Sequence, residues 1–156
     1  MVASNIPKRK MDMKITIENL QKQISINPAR IIRAAKKTLL YKKVKRAHLS
    51  LALVSDQRIK ALNKRYLKRE YTTDVLSFDL KDSQRKTKDI EGEIVISAAA
   101  AVRNAKRYQS AIEPEIVLYV VHGILHLLGF DDHSKTDAEQ MRQEERKILK
   151  ALGYDR

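Results

Sequence analysis

The segment from Ile116 to Leu128 constrains this chain most, because it is apolar almost all round. Such a segment is typical of a helix that is buried in a protein core. It nevertheless carries two imidazoles, His122 and His126, four positions apart. At that spacing both side chains lie on one helix face, with Cβ atoms roughly 5 to 6 Å apart, so both can reach one metal ion. The sequence therefore predicts a buried helix with a metal-binding pair.

The residues that follow the helix indicate how a third ligand reaches this pair. Gly129 is a typical helix stop, because glycine enters the left-handed conformation at little cost. The chain can then turn back and carry residues 130–133, Phe-Asp-Asp-His, toward the histidines. Three protein ligands with a fourth position open to water or substrate are the arrangement of catalytic zinc. The chain has no cysteine, which excludes a thiolate zinc site.

Four segments of the chain together resemble the YbeY family, the bacterial endoribonucleases of ribosomal RNA maturation. Residues 122–133 are similar to that family's His-Gly-x-Leu-His-Leu-x-Gly-Tyr-Asp-His motif. Residues 62–66, 73–78 and 92–97 resemble its Leu-Asn-x-x-Tyr, Thr-Asp-Val-Leu-Ser-Phe and Gly-Asp-Ile-x-Ile-Ser segments. The matches keep the family's order and spacing over most of the chain from about residue 13 onward, which makes them more specific together than singly.

The resemblance implies a metal-dependent, single-strand-specific endoribonuclease that acts in small-subunit ribosomal RNA processing and ribosome quality control. The implied partners are ribosomal RNA, the small ribosomal subunit and ribosomal proteins. The implied cofactor is Zn²⁺, one ion per chain.

The third metal ligand is one of two points at which the chain departs from the family pattern. The family has its third histidine six residues after the second, and that position here is Asp132, with His133 one residue later. We predict that the turn absorbs the extra residue, so that the ligands are His122, His126 and His133. Asp132 is the alternative, because a carboxylate is an acceptable zinc ligand.

The second departure is Leu67, which stands where the family has an arginine thought to engage the substrate. Leucine cannot bind phosphate. We predict that Arg65, Lys68 or Arg69 replaces that arginine in catalysis. Without such a replacement, the chain fits a second reading, a ribosome-associated RNA-binding factor whose metal is structural.

The charge of the chain favours a polyanionic partner. The net charge is +13, and it is unevenly distributed: residues 1–70 hold 19 basic and 4 acidic residues, whereas residues 71–156 hold 13 and 15. Such a field attracts nucleic acid. The alternative is a basic surface that is merely solvated.

The position after the first metal-binding histidine bears on the reaction. Zinc peptidases with a His-Glu-x-x-His helix use the glutamate there as general base. That position here is Gly123, which counts against a zinc peptidase. A metal ion that activates water and polarises a phosphoryl oxygen, beside a basic surface, fits RNA cleavage instead.

The remaining sequence predicts one α/β domain over residues 13–156, preceded by a disordered basic tail over residues 1–12. A small mixed sheet of about four strands packs with about five helices, of which the metal helix is zincin-like. We expect a first strand from Lys14 to Ile17, Tyr66 in the core, and a capping box of Thr136 and Glu139. No signal peptide or membrane span is recognisable, so we expect a cytoplasmic protein with no membrane partner.

Overall fold

The computed structural model describes residues 10–68, 73–82 and 88–154. The elements in chain order are β1 Asp12–Asn19, α1 Pro28–Tyr41, β2 Arg46–Val54, α2 Asp56–Leu67, β3 Val75–Asp79, β4 Ile90–Ser97, α3 Ala98–Arg107, α4 Ile112–Leu127 and α5 Lys135–Ala151. The predicted α/β class, with a four-stranded mixed sheet and five helices, is confirmed.

The sheet has the strand order β1-β2-β4-β3. β1 and β4 both pair with β2 in parallel, whereas β3 pairs with β4 in antiparallel orientation. β3 is thus a short edge strand beside an otherwise parallel sheet. The arrangement matters for function, because the candidate site opens along β3.

The two faces of the sheet are covered to different extents. Alternation along β2 sends Leu49, Leu51 and Leu53 into the large core under α1 and α4. Ala52 and Val54 point the other way, into a smaller cluster with Ile59 of α2 and Leu76 of β3. α4 runs through the middle of the larger layer, and most of its residues are buried, as its all-round apolar sequence predicts.

Polar caps explain where most of the helices begin. The side chains of Asn27, Ser55 and Ser97 each accept a hydrogen bond from the backbone N–H three residues on, at the starts of α1, α2 and α3. The buried residues of α1 recur at helical spacing and so form its inner face: Ile31, Ala34, Ala35, Thr38 and Leu39.

The predicted capping box of the last helix is wrong. The N-cap of α5 is Ser134, whose hydroxyl accepts from the Asp137 N–H at 3.0 Å. Ser134 has the extended backbone that a cap requires, which places Thr136 inside the first turn. The Glu139 carboxylate instead pairs with Arg142 at 2.9 Å.

Tyr66 is also not a core residue. Its side chain is 56% exposed, whereas α2 buries Ile59 and Asn63. Tyr66 stands in the last turn of α2, and its ring meets the edge of the Phe78 ring on β3, with centroids 5.6 Å apart. Since β3 is the edge strand, this contact covers only one side of the ring.

The first strand is longer than predicted, because β1 begins at Asp12 and pairs there with Arg46. Asp12 therefore belongs to the sheet and not to the predicted tail, and residues 1–9 of that tail lie outside the described residues. In the described ranges no single helix has the length and apolarity to cross a membrane. α3 and α4 pass such a test only as a pair, and they are bent by 119°.

Candidate metal centre

The two histidines of α4 lie on one helix face, as their spacing predicts. Their Nε2 atoms are 3.1 Å apart, and the rings meet edge to face with centroids 4.6 Å apart. Both side chains are partly exposed, at 25% for His122 and 29% for His126. Two nitrogen lone pairs thus converge at the wall of an open cleft.

Asp132 completes a three-atom group with this pair. Gly129 ends α4 with a φ of +97°, and the Phe130 N–H then donates to the Leu125 carbonyl, which turns the chain back. Asp132 Oδ2 lies 3.8 Å from His122 Nε2 and 3.7 Å from His126 Nε2. Ligands bound tetrahedrally to zinc at about 2.0–2.1 Å are about 3.3 Å apart, so these donors fit one ion.

His133 does not join the His122–His126 pair in this structure. Its side chain is 77% exposed, and its Nε2 lies 3.2 Å from Asp131 Oδ1. The same carboxylate oxygen accepts the backbone N–H groups of Asp132 and His133, which closes a tight turn. His133 lines the cleft and forms a second group with Asp131 and Asp132. Its place as third ligand therefore stays a prediction, and the side-chain positions favour Asp132.

Glu145 of α5 is a site residue that the sequence reasoning missed. Its Oε1 lies 2.5 Å from His122 Nδ1, and its side chain is only 13% exposed. A carboxylate at this nitrogen keeps the proton on Nδ1 and leaves the Nε2 lone pair free for a metal. One signal could have found it: Glu145 falls between the buried residues Met141 and Ile148, four and three positions away on α5.

The surroundings of His126 favour its neutral form, the form that binds metals. Burial lowers the pKa of this imidazole most, and the neighbouring His122 lowers it further. Asp132, a hydrogen bond to the Phe130 backbone and Asp131 act in the opposite direction but do not outweigh them.

Gly123 explains sterically why this helix lacks the peptidase glutamate. A Cβ atom at Gly123 would lie 2.8 and 2.9 Å from two side-chain carbons of Ile94 and 3.0 Å from Ser77 Oγ. The Ser77 hydroxyl also donates to the Gly123 carbonyl at 3.2 Å. The position after the first histidine thus faces β3 and β4 at close range. A glutamate base at this position has no room.

The metal group stands in a cleft of about 750 Å³ between α4, β3, the end of α2 and α5. Carboxylates, imidazoles and small polar groups line it together with Leu67, Leu118 and Leu127. Neither lysine nor arginine occurs among the lining residues that the structure describes.

Two of the predicted replacements for the family arginine, Arg65 and Lys68, do not line the cleft. Arg65 is exposed, with its guanidinium 5.4 Å from the ring centroid of Tyr66. Lys68 caps the end of α2 with a φ of +54°. Arg69 lies outside the described residues. A catalytic role for any of the three stays a prediction, and Leu67 itself lines the cleft at 48% exposure.

Comparison with known proteins relates the chain to one family. Residues 16–153 match the family model described as Endoribonuclease YbeY. The chain is 37% identical to Endoribonuclease YbeY of Carboxydothermus hydrogenoformans, over 90% of this chain and 98% of that protein. It is 35% identical to that of Alkaliphilus metalliredigens, over 94% and 99%. The solution structure of a Thermotoga maritima protein superimposes with a TM-score of 0.56 and 26% identity, covering 89% of this chain and 91% of that one.

Proposed function

Because this chain belongs to the endoribonuclease YbeY family and is an RNA-cleaving hydrolase, we propose that it cleaves single-stranded ribosomal RNA with the help of one Zn²⁺. The cell would use this activity in the cytoplasm, in small-subunit maturation and ribosome quality control, where ribosomal proteins lie close to the substrate. The net charge of +13 supports a polyanionic substrate.

One observation carries the proposal: His122 Nε2, His126 Nε2 and Asp132 Oδ2 converge at the wall of an open cleft. A bound zinc ion supplies a water of lowered pKa and polarises a phosphoryl oxygen. With three protein ligands, a fourth position is left for water or substrate.

The chain's own residues prepare this site before any ion binds. The Glu145 carboxylate accepts hydrogen bonds and so favours the His122 tautomer that carries its proton on Nδ1. Burial keeps His126 neutral by lowering its pKa. Leu118 and Leu127 add apolar surface to the lining of the cleft.

The test is cleavage of a labelled single-stranded ribosomal RNA fragment. We expect cleavage by the wild type and none by chelator-treated protein or by His126→Ala, with the fold retained in both. His48→Ala is the matched control, because His48 is exposed, pairs with Asp12 and lies outside the cleft. Full activity in His126→Ala would overturn the proposal.

A second candidate is an RNA-binding factor whose metal is structural, and the composition of the cleft favours it. Leu67 replaces the family arginine, and no cation lines the described part of the cleft. Metal removal separates the two candidates. Removal of a structural ion would lower the melting temperature, whereas removal of a catalytic ion would abolish turnover with the fold largely retained.

A further inference from the structure

The basic residues of the first half of the chain are concentrated in one span that contains no acid. Between Glu18 and Asp56 the sequence holds nine lysines and arginines and no aspartate or glutamate. This span includes α1, whose inner face is buried against α4 and the sheet. The cations of α1 therefore lie on the outer side of the helix, and further lysines follow in the turn after it.

Three exposed cations of α1 form a surface that we call the cationic face. Arg33, Lys36 and Lys37 are exposed, and none forms an ion pair with any residue of the described ranges. The cations of α5 contrast with them: Arg142 and Arg146 pair with Glu139, and Lys147 pairs with Glu144. Three of the five cations of α5 are thus held in ion pairs, whereas three of the four cations of α1 form none in the described ranges and remain for an external anion.

A shallow concavity adjoins the cationic face. It has a volume of about 210 Å³ and lies between α1 and the end of α5, where Arg30, Arg33, Lys37 and Tyr154 line it. Glu113 engages two of these residues, because it pairs with Arg30 at 3.1 Å and accepts from the Tyr154 hydroxyl at 3.1 Å. Arg33 and Lys37 remain beside a partly exposed aromatic ring, a combination that suits a phosphate and an unpaired base.

The C-terminal end of α1 borders the loop of the metal motif. Lys42 pairs with Glu144 at 2.8 Å, and its ammonium lies 5.0 Å from the centroid of the Phe130 ring. Phe130 precedes Asp131 and Asp132 in the turn that reaches the metal group. A polyanion that lies along α1 toward its C-terminal end therefore comes near the loop that carries Asp132.

We propose that the cationic face of α1 is an RNA docking surface, which binds the phosphodiester backbone of the substrate outside the bond that is cleaved. This inference rests on the proposed function for the identity of the substrate. Because the cleft wall lacks lysine and arginine in its described part, a surface outside it supplies the affinity for a long RNA. Such contacts position the strand without reading its sequence.

The test compares two triple variants that remove the same charge. The first is Arg33→Gln/Lys36→Gln/Lys37→Gln. The matched control is Arg142→Gln/Arg146→Gln/Lys147→Gln, which removes three paired cations of α5. Both are assayed for binding and cleavage of single-stranded RNA in a series of increasing length, at several salt concentrations.

We expect the KM of the wild type and of the control to fall as the RNA becomes longer. The α1 variant should bind the longest RNA roughly tenfold more weakly, and its salt slope should be smaller by about 2, since each lost contact to a single strand removes about 0.7. Its kcat on the shortest cleavable RNA should equal that of the wild type. Equal losses in the two variants, or none in either, would overturn the proposal.

The outcomes also separate this inference from the proposed function. If the wild type cleaves no RNA of any length, the nuclease proposal fails, whereas the binding measurements still decide the docking surface. Vesicles of anionic phospholipid provide the remaining comparison. If the α1 variant loses binding to vesicles but keeps its affinity for RNA, the surface belongs to a membrane and the RNA inference is wrong.

Discussion

The active cleft and the cationic face of α1 have opposite compositions, although we assign both to the same polyanion. The cleft is lined by imidazoles, carboxylates and small polar groups, and no cation lines its described part. The cationic face has three cations that form no ion pair within the described ranges, in a span that holds no acid. The cleft therefore suits the binding of a cation, and α1 suits the binding of RNA itself.

This difference suggests a division of labour. A cleft rich in lysine would attract RNA strongly but would repel a divalent metal, whereas the observed cleft can bind the metal first. In the described part of the cleft, a bound metal would supply the positive charge that the phosphodiester meets. On this view RNA binding and RNA cleavage can be lost independently of each other. The following experiments test whether they are.

The largest effect should come from His126→Ala. We expect the cleavage rate to fall roughly a thousandfold or more, because a metal ion contributes several kcal/mol of transition-state stabilisation. The affinity for long RNA and its salt dependence should stay unchanged, since α1 is intact. Filter binding and cleavage assays on one preparation measure both quantities. A parallel loss of RNA affinity would contradict the division of labour.

The next effect concerns Glu145, which contacts His122 and does not belong to the cationic face. Glu145→Gln should lower the affinity for Zn²⁺ about 10-fold to 100-fold, because the amide holds the His122 proton less firmly on Nδ1. Competition with a coloured chelator measures this affinity independently of RNA.

The matched control for that measurement is Glu144→Gln. It changes the neighbouring carboxylate, which pairs with Lys42 and does not contact a histidine. We expect wild-type metal affinity in this control. If both variants bind Zn²⁺ as the wild type does, Glu145 has no role in positioning His122.

A third experiment tests whether packing fixes the position of the cleft. Gly123→Ala should lower the free energy of unfolding by about 1–3 kcal/mol, because its Cβ would overlap Ile94 on β4. Adding Ile94→Val, which removes one of the two overlapping carbons, should restore part of the loss. Lys36→Ala on the exposed cationic face should change stability by less than about 0.5 kcal/mol. Urea unfolding of the metal-free proteins gives all three values.

The smallest effect is the dependence of metal-free stability on pH. The pKa of His126 is lowered from 6.5 in the folded chain, chiefly by burial, so the unfolded chain takes up a proton first as the pH falls. The contribution of neutral His126 to stability is present above about pH 6.5 and decreases as the pH drops below that value. His126→Gln should remove this part of the decrease. The affinity for RNA should not decrease over the same pH range, because lysine and arginine stay charged there.

Local sequence patterns predict most of the helix ends, because interactions between residues close in sequence determine them. The caps Asn27, Ser55 and Ser97 and the stop at Gly129 each depend on a few neighbouring residues. The prediction that Tyr66 lies in the core was wrong. Helical spacing identifies the face of α2 that turns toward the sheet, but it does not show that the sheet ends at β3 and leaves Tyr66 exposed.

The candidate site was predictable only along one helix. The spacing of His122 and His126 places them together, but the third ligand depends on the turn at residues 129–133, where one added residue changes which side chain points inward. Glu145 comes from another helix, 23 residues after His122, and only tertiary packing brings it to the ring. The charge imbalance was visible in the sequence, whereas its concentration on the outside of α1 required the fold.

The close packing of Gly123 against Ile94 also limits how this protein can evolve. A single substitution that introduces glutamate at position 123 would meet the strand before it could reach the cleft. A lineage would first need a smaller residue at position 94, which leaves a cavity in the core and lowers stability without any gain in activity. Zinc peptidases have the same pair of histidines, but this chain could acquire their glutamate base only through a variant of lower stability.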